Sequence, residues 1–164
     1  ALVLFTSWRQ FRRVLENMPK RLLAKCHVQG EGSKRNLIEA HRTAIDRGDV
    51  SYILGLASFA EGIDLPDDYC RHVIITKLPF STPDDPIDQA FGEWLENQGR
   101  NPFSEVVVPD TALRLVQSCG RLIRHEEDYG RITLLDQRIL KLGYGRTLLD
   151  TLPPYRLEFG DTSS

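Results

Sequence analysis

The chain has no phosphate-binding loop of the form G-x-x-x-x-G-K-[ST] and no D-E-x-[HD] pair to hold magnesium. It therefore has no cradle of its own for a nucleoside triphosphate. Its three cysteines, Cys26, Cys70 and Cys119, are odd in number and no two share a C-x-x-C spacing. Thiolates so few and scattered exclude a zinc or iron–sulphur site within the chain, and reduced thiols fit a cytoplasmic setting. No apolar run approaches the roughly 18 residues of a membrane span, and no signal peptide is visible. Net charge is small, −2 with a pI near 6.1. That excludes a protein basic over its whole surface, but leaves room for a local basic groove. There is no internal repeat, no low-complexity tract and no initiator methionine. The chain opens directly on the strand-like run ALVLFTS, and the expectation is that it is a piece of something longer.

What is present is one domain's worth of sequence, 164 residues with 41% apolar and 27% charged side chains. Leu2–Thr6 reads as a buried strand. Ser7, with Gln10 three positions later, forms a capping-box pattern ahead of a helix to about Asn17. Lys25–Gln29 reads as a second strand. Ser33–Arg47 is an amphipathic helix carrying Leu37, Ile38, His41, Ala44 and Ile45 at helical spacing, and Gly48 ends it. Val50–Gly55 and His72–Thr76 are further strands; the unalternating VIIT points to a strand covered on both faces. A helix from Pro86 to about Gln98 carries Ile87, Phe91, Trp94 and Leu95 as its apolar stripe, with Phe91 and Trp94 expected in the core. Pro109 and Asp110 open the helix containing QSCGRLIR, Arg131–Leu135 is another strand, and Gly145–Leu152 a last short helix. Strands alternating with helices give an α/β fold, a parallel sheet with helices on both faces. The segment 78–109 is expected to be an insertion on that core.

In an open parallel sheet, ligands bind beyond the carboxyl ends of the strands. Thr6 and Ser7 close the first strand there, and Gln29 and Gly30 the second. The loop GLASFAEGIDLPD, Gly55–Asp67, leaves the third. Within it Ser58 offers a hydroxyl and an N–H suited to a phosphate oxygen. Glu61, Gly62 and Asp64 set two carboxylates around a flexible backbone point. They suit arginines, a ribose hydroxyl or a water-bridged metal; equally, they can form a plain acidic turn.

The run QSCGRLIR, Gln117–Arg124, aligns Gln117, Arg121 and Arg124 within a stripe about 60° wide at 100° per residue. Ala112, Leu115, Val116, Cys119, Leu122 and Ile123 point the other way. An interior glycine, Gly120, costs roughly 1 kcal/mol against alanine, and on the polar side it opens the backbone to an approaching group. Two guanidinium forks beside such a gap suit a polyphosphate; the bland alternative is a wet helix face. Whether this stripe meets the strand-end rim is not fixed by periodicity. His41 and His72 read as packing or surface residues, Cys119 as core, and Trp8 as either a hydrophobic staple or a ligand contact.

These segments resemble the second motor domain of DinG-type helicases, the XPD-like branch of helicase superfamily 2. LVLFTSW looks like motif IV, GLASFAEGIDLPD like motif V and QSCGRLIR like motif VI, in the same order and covering nearly the whole chain. The resemblance implies a RecA-like fold and an ATP-driven motor moving 5′ to 3′ on single-stranded DNA. It implies Arg121 and Arg124 near the γ-phosphate, with Arg124 as the arginine finger and Gln117 orienting that contact or the attacking water. Glu61, Gly62 and Asp64, with the Gly120 gap, would face the nucleotide, and Thr6, Ser7, Gln29 and Ser58 would hold DNA phosphates. ATP and Mg²⁺ would be held mainly by a first RecA-like domain of the same polypeptide, which is also where any iron–sulphur cluster would sit. The chain alone would be inactive as an ATPase. The competing expectations are a non-catalytic nucleic-acid-binding or scaffold domain, and half of an RNA helicase.

Overall fold

The structure, a computed structural model, describes residues 1–81, 85–122 and 129–160. Five parallel strands make one sheet: β1 (Leu2–Phe5), β2 (Cys26–Val28), β3 (Tyr52–Leu56), β4 (His72–Ile75) and β5 (Arg131–Leu134), in the order β2-β3-β1-β4-β5. The register places Leu2 beside Ile53 on one side and Val73 on the other. The strand order makes β1 the central strand, and all three residues are buried.

The helices divide unequally between the faces. α1 (Trp8–Asn17) and α2 (Lys20–Leu23), which link β1 to β2, cover one face through Phe5, Phe11, Val28 and Leu54. The larger core lies on the other face. There α3 (Lys34–Asp46), α4 (Ala57–Ala60) with the segment after it, α6 (Val108–Cys119), α7 (Arg138–Lys141) and α8 (Tyr144–Asp150) pack over Leu2, Leu4, Ile53, Val73 and Ile75. The expected two-sided α/β sheet is therefore present, with one lightly covered face. Ile74 is only half-buried and lines a groove with Val3, Gln10, Thr76 and Leu135 on the side that α1 leaves open.

Local chemistry explains the helix starts. Ser7 and Ser33 are extended, and their hydroxyls accept from the N–H groups of Gln10 and Asn36, satisfying donors that the first turn leaves open. Only half of the expected capping box forms. The Gln10 side-chain oxygen instead lies 3.4 Å from the Thr76 hydroxyl, whose nearer acceptor is the Leu4 carbonyl at 3.0 Å.

Two expectations are corrected. In α5 (Pro86–Asn97) only Leu95 of the stripe is buried; Ile87 is 76% exposed, Phe91 48% and Trp94 50%. Phe91 and Trp94 stack on each other at 5.8 Å, and neither joins a core cluster, because no other described element covers that side of α5. The helix containing QSCGRLIR stops at Cys119, so Gly120 is its C-cap and not an interior residue. Its N–H bonds the Val116 carbonyl at 2.8 Å, and a Cβ there would stand 3.3 Å from that same oxygen.

Candidate nucleic-acid and nucleotide interface

The topology locates a crevice. The connection leaving β1 goes to one face, while the connections leaving its neighbours β3 and β4 go to the other. Adjacent strands whose helices part in this way leave a gap at their carboxyl ends. The residues at that rim come in a row: Gln29 and Gly30 after β2, Ala57 and Ser58 after β3, Thr6 and Ser7 after β1. At the spacing of hydrogen-bonded strands, the three ends span roughly 10 Å. Thr6, Ser7 and Ser58 are exposed.

Gln29 is half-buried, and its carbonyl oxygen accepts from the Leu56 N–H at 2.7 Å. That leaves its amide NH₂ as the part able to donate to a ligand. This clamp needs glycine at position 55. A Cβ on Gly55 would lie 3.0 Å from the Gln29 oxygen and 2.5 Å from the Phe59 ring.

The turn Glu61–Asp64 leaves α4 and runs down the larger-core face. Ile63 and Leu65 are 2% exposed and anchor it, while Glu61 and Asp64 are exposed. Gly62 sits at φ +74°, where a side chain is strained. α3 holds this segment by its backbone carbonyls. Lys34 Nζ donates to Glu61 O at 2.7 Å and Arg42 to Asp64 O at 2.6 Å, while His41 Nε2 lies 2.8 Å from Tyr69 O. A carbonyl only accepts, so Nε2 carries the proton and Nδ1 accepts from the Ser51 hydroxyl at 2.8 Å. Burial pushes the His41 pKa down to about 4, against the opposing effect of the Tyr69 carbonyl. Of the two sequence readings of His41, packing or surface, the structure selects packing. Lys34 and Arg42 escaped it, because their partners are carbonyls and any residue supplies one.

The polar stripe of α6 lies elsewhere. Leu122 packs where a Cβ on Gly130 would be, beside the Arg71 carbonyl that accepts from the Arg131 N–H. Arg71 and Arg131 precede and open β4 and β5, so this is the amino end of the sheet. Gln117 is exposed and Arg121 half-exposed near that end, away from the strand-end rim. Periodicity left the place of this stripe open; it lies on a second edge, apart from the strand-end rim. Among the described residues Arg121 has no ion-pair partner, whereas Arg114 on the same helix is paired with Asp110 at 2.8 Å. Arg124 lies outside the described residues.

His72 Nε2 lies 2.8 Å from the Thr133 hydroxyl across β4 and β5. Cys70 and Cys119 are buried, and burial pushes the Cys119 thiol up to about 12. Among the described residues no three His, Cys, Asp or Glu side chains gather to hold a metal ion. No helix among them is long and apolar enough to cross a membrane.

The chain is thus a parallel α/β lobe with polar strand ends and a second polar edge, and its sequence carries no phosphate loop. The sequence pattern of the family described as "Helicase C-terminal domain" matches residues 1–155, and the chain belongs to that family. It is 44% identical over 161 residues to the ATP-dependent DNA helicase DinG of Photobacterium profundum, covering 95% of this chain and 23% of that protein. It is 39% identical over 157 residues to the protein of the same name from Escherichia coli, covering 96% and 22%. The chain thus spans less than a quarter of the length of these relatives. Among solved structures, one named XPD_APO superposes with a TM-score of 0.67 at 24% identity, over 91% of this chain and 30% of that one. A second, named XPD_Helicase, gives 0.67 at 22% identity, over 92% and 27%. The fold is that of the XPD helicase lobe, and the sequence is of the DinG type.

Proposed function

We propose that this chain is the second motor lobe of an ATP-dependent DNA helicase that moves 5′ to 3′ on single-stranded DNA. Thr6, Ser7, Gln29 and Ser58 hold successive backbone phosphates at the strand-end rim, a sequence-blind mode of contact that suits a motor. Arg121 and Arg124 act near the γ-phosphate, with Arg124 as the finger and Gln117 orienting that contact or the attacking water. Glu61, Gly62 and Asp64, with the Gly120 gap, report nucleotide state. ATP, with its Mg²⁺, supplies the phosphoryl group that is cleaved, and a first RecA-like lobe of the same cytoplasmic polypeptide holds most of it. That other lobe is also the place for an iron–sulphur cluster, and 78–109 is an elaboration of this one.

The observation that carries the reading is the separation of the two polar edges. Exposed hydroxyls occupy the switch-point rim, and an arginine unpaired among the described residues occupies the far end of α6. A lobe that grips a strand and closes on a nucleotide needs both. A passive scaffold has no use for the second.

An arginine finger is worth roughly 10³–10⁵ in rate. Arg124→Ala in the full-length parent therefore abolishes hydrolysis while DNA binding largely survives; retained hydrolysis reassigns the finger. The isolated chain shows no ATPase activity even with DNA, and strong turnover by it would overturn the two-lobe reading.

A further inference from the structure

The most uneven charge on the molecule lies outside both edges. Between Trp8 and Lys25 the sequence places six cations, Arg9, Arg12, Arg13, Lys20, Arg21 and Lys25, against one carboxylate, Glu16. That is a surplus of five positive charges in a chain whose formal net charge is −2, so the remainder carries a surplus of seven negative ones. All six cations are exposed, and among the described residues none has an ion-pair partner.

Elementary helix energetics do not favour this arrangement. Arg9, Arg12 and Arg13 stand at i, i+3 and i+4 on one stripe of α1, where like charges destabilise a helix. The first turn of α1 has no acidic residue, although the helix dipole favours one there. The stripe begins at the strand-end rim, since Ser7 both closes the rim and caps α1. At that junction stands Trp8, 46% exposed, its ring edge-on to Phe11 at 5.5 Å and with the Arg12 guanidinium 6.0 Å from its centroid. An exposed indole beside a cation offers a stacking face to an unpaired base, which a duplex does not present.

We propose that the outer face of α1 and α2 is a second nucleic-acid surface, which takes the backbone of single-stranded DNA as it leaves the rim past Trp8. The inference rests on the proposed rim contacts and adds to them a path that only longer strands reach. The backbone contacts are electrostatic and indifferent to sequence, with stacking on Trp8 marking where the strand turns off the rim.

The test compares the full-length parent with its Arg9→Gln/Arg12→Gln/Arg13→Gln variant, by fluorescence anisotropy between ~50 and ~200 mM salt. Three probes are used: thymidine oligomers of ~8 and ~25 nucleotides, and a ~25 base-pair duplex. Exposed substitutions of this kind change stability little, so both proteins should melt at nearly the same temperature. Each phosphate contact on a single strand contributes about 0.7 to the slope of log affinity against log salt. The variant should thus lose about 2 from that slope on the long oligomer and keep wild-type affinity for the short one. An unchanged slope on the long strand overturns the proposal, and an unchanged slope with a lowered melting temperature assigns the face to an acidic surface of the parent. A loss confined to the duplex overturns the single-strand assignment. A Thr6→Val/Ser58→Ala variant tests the underlying reading separately. If it binds the short oligomer as wild type does, the rim contacts fail whatever the basic face does.

Discussion

The imidazole of His41 makes the stability of this domain depend on pH in a range where few other groups titrate. It is fully buried, donates from Nε2 to the Tyr69 carbonyl and accepts at Nδ1 from Ser51. Protonating Nδ1 would set two donors face to face and strand a charge in the core. Burial therefore lowers the pKa from 6.5 to about 4, aided by the positive charges of the amino terminus, His27 and Arg42. The unfolded chain protonates this histidine near 6.5. Between that pH and 4 the unfolded state binds one more proton than the folded state, so folding stability falls as the pH falls. A shift of that size corresponds to about 3 kcal/mol by pH 4. Carboxylates also titrate toward the acid end, so the comparison needs a variant that differs only at this ring. His41→Gln can still donate to Tyr69 O and accept from Ser51, yet cannot titrate. Urea denaturation of the 164-residue chain at pH 7, 5.5 and 4 should show the wild-type midpoint falling further than the variant's, by ~1–2 M at a typical slope for this size. Parallel midpoints across that range would refute the buried neutral ring, and with it the account of how α3 holds the end of the acidic segment.

Two further outcomes follow from packing and charge. Gly55→Ala drives a Cβ into the Phe59 ring and against the Gln29 oxygen; it should cost about 1–3 kcal/mol and weaken binding of a short single strand by the parent, as titration would measure. Asp136 accepts from the Leu78 N–H, the Arg138 N–H and the Arg138 guanidinium; burial raises its pKa, but these hydrogen bonds outweigh that and hold the carboxyl below its ordinary value. Asp136→Asn should thus destabilise by about 2 kcal/mol at pH 7, seen as a lower melting temperature. Because the folded carboxyl titrates below the unfolded one, wild type holds this advantage above the unfolded value and loses it as the pH falls through the folded one, so the two melting curves should converge only once the pH is below the folded value. A gap that persists there would mean that the carboxylate charge is not what matters.

Sequence patterns disclosed the strands, the capping serines and the alternation that makes a parallel sheet, because each is a local effect of side-chain chemistry on its own backbone. Strand order, and with it the switch-point crevice, depends on how the connections cross, which no local pattern encodes. Periodicity marked Ile87, Phe91 and Trp94 as one apolar side of a helix, but whether anything covers that side is a property of the rest of the protein. For α6 the interior glycine was the misreading: the helix ends at Cys119, so Gly120 is its cap. Where Arg121 stands follows from the direction of the helix across the sheet, which periodicity does not fix. Lys34 and Arg42 left no trace because backbone carbonyls are shared by every residue.

These details constrain how the proposed motor can couple its two edges. The segment after β3 starts at the rim with Ser58, passes through Glu61–Asp64 and ends near Tyr69, just before β4. Along the way it is bonded to α3 at three carbonyls and anchored by Ile63 and Leu65. Sliding this segment against α3 would break those three bonds and expose two core side chains, a larger cost than the few kcal/mol that commonly separate working states. The rim and the acidic turn therefore move as parts of one body. On the proposed reading, nucleotide turnover displaces this whole lobe against its partner, hinge-fashion. The DNA contacts travel with it because the sheet, α3 and the Ser58–Tyr69 segment offer no internal joint.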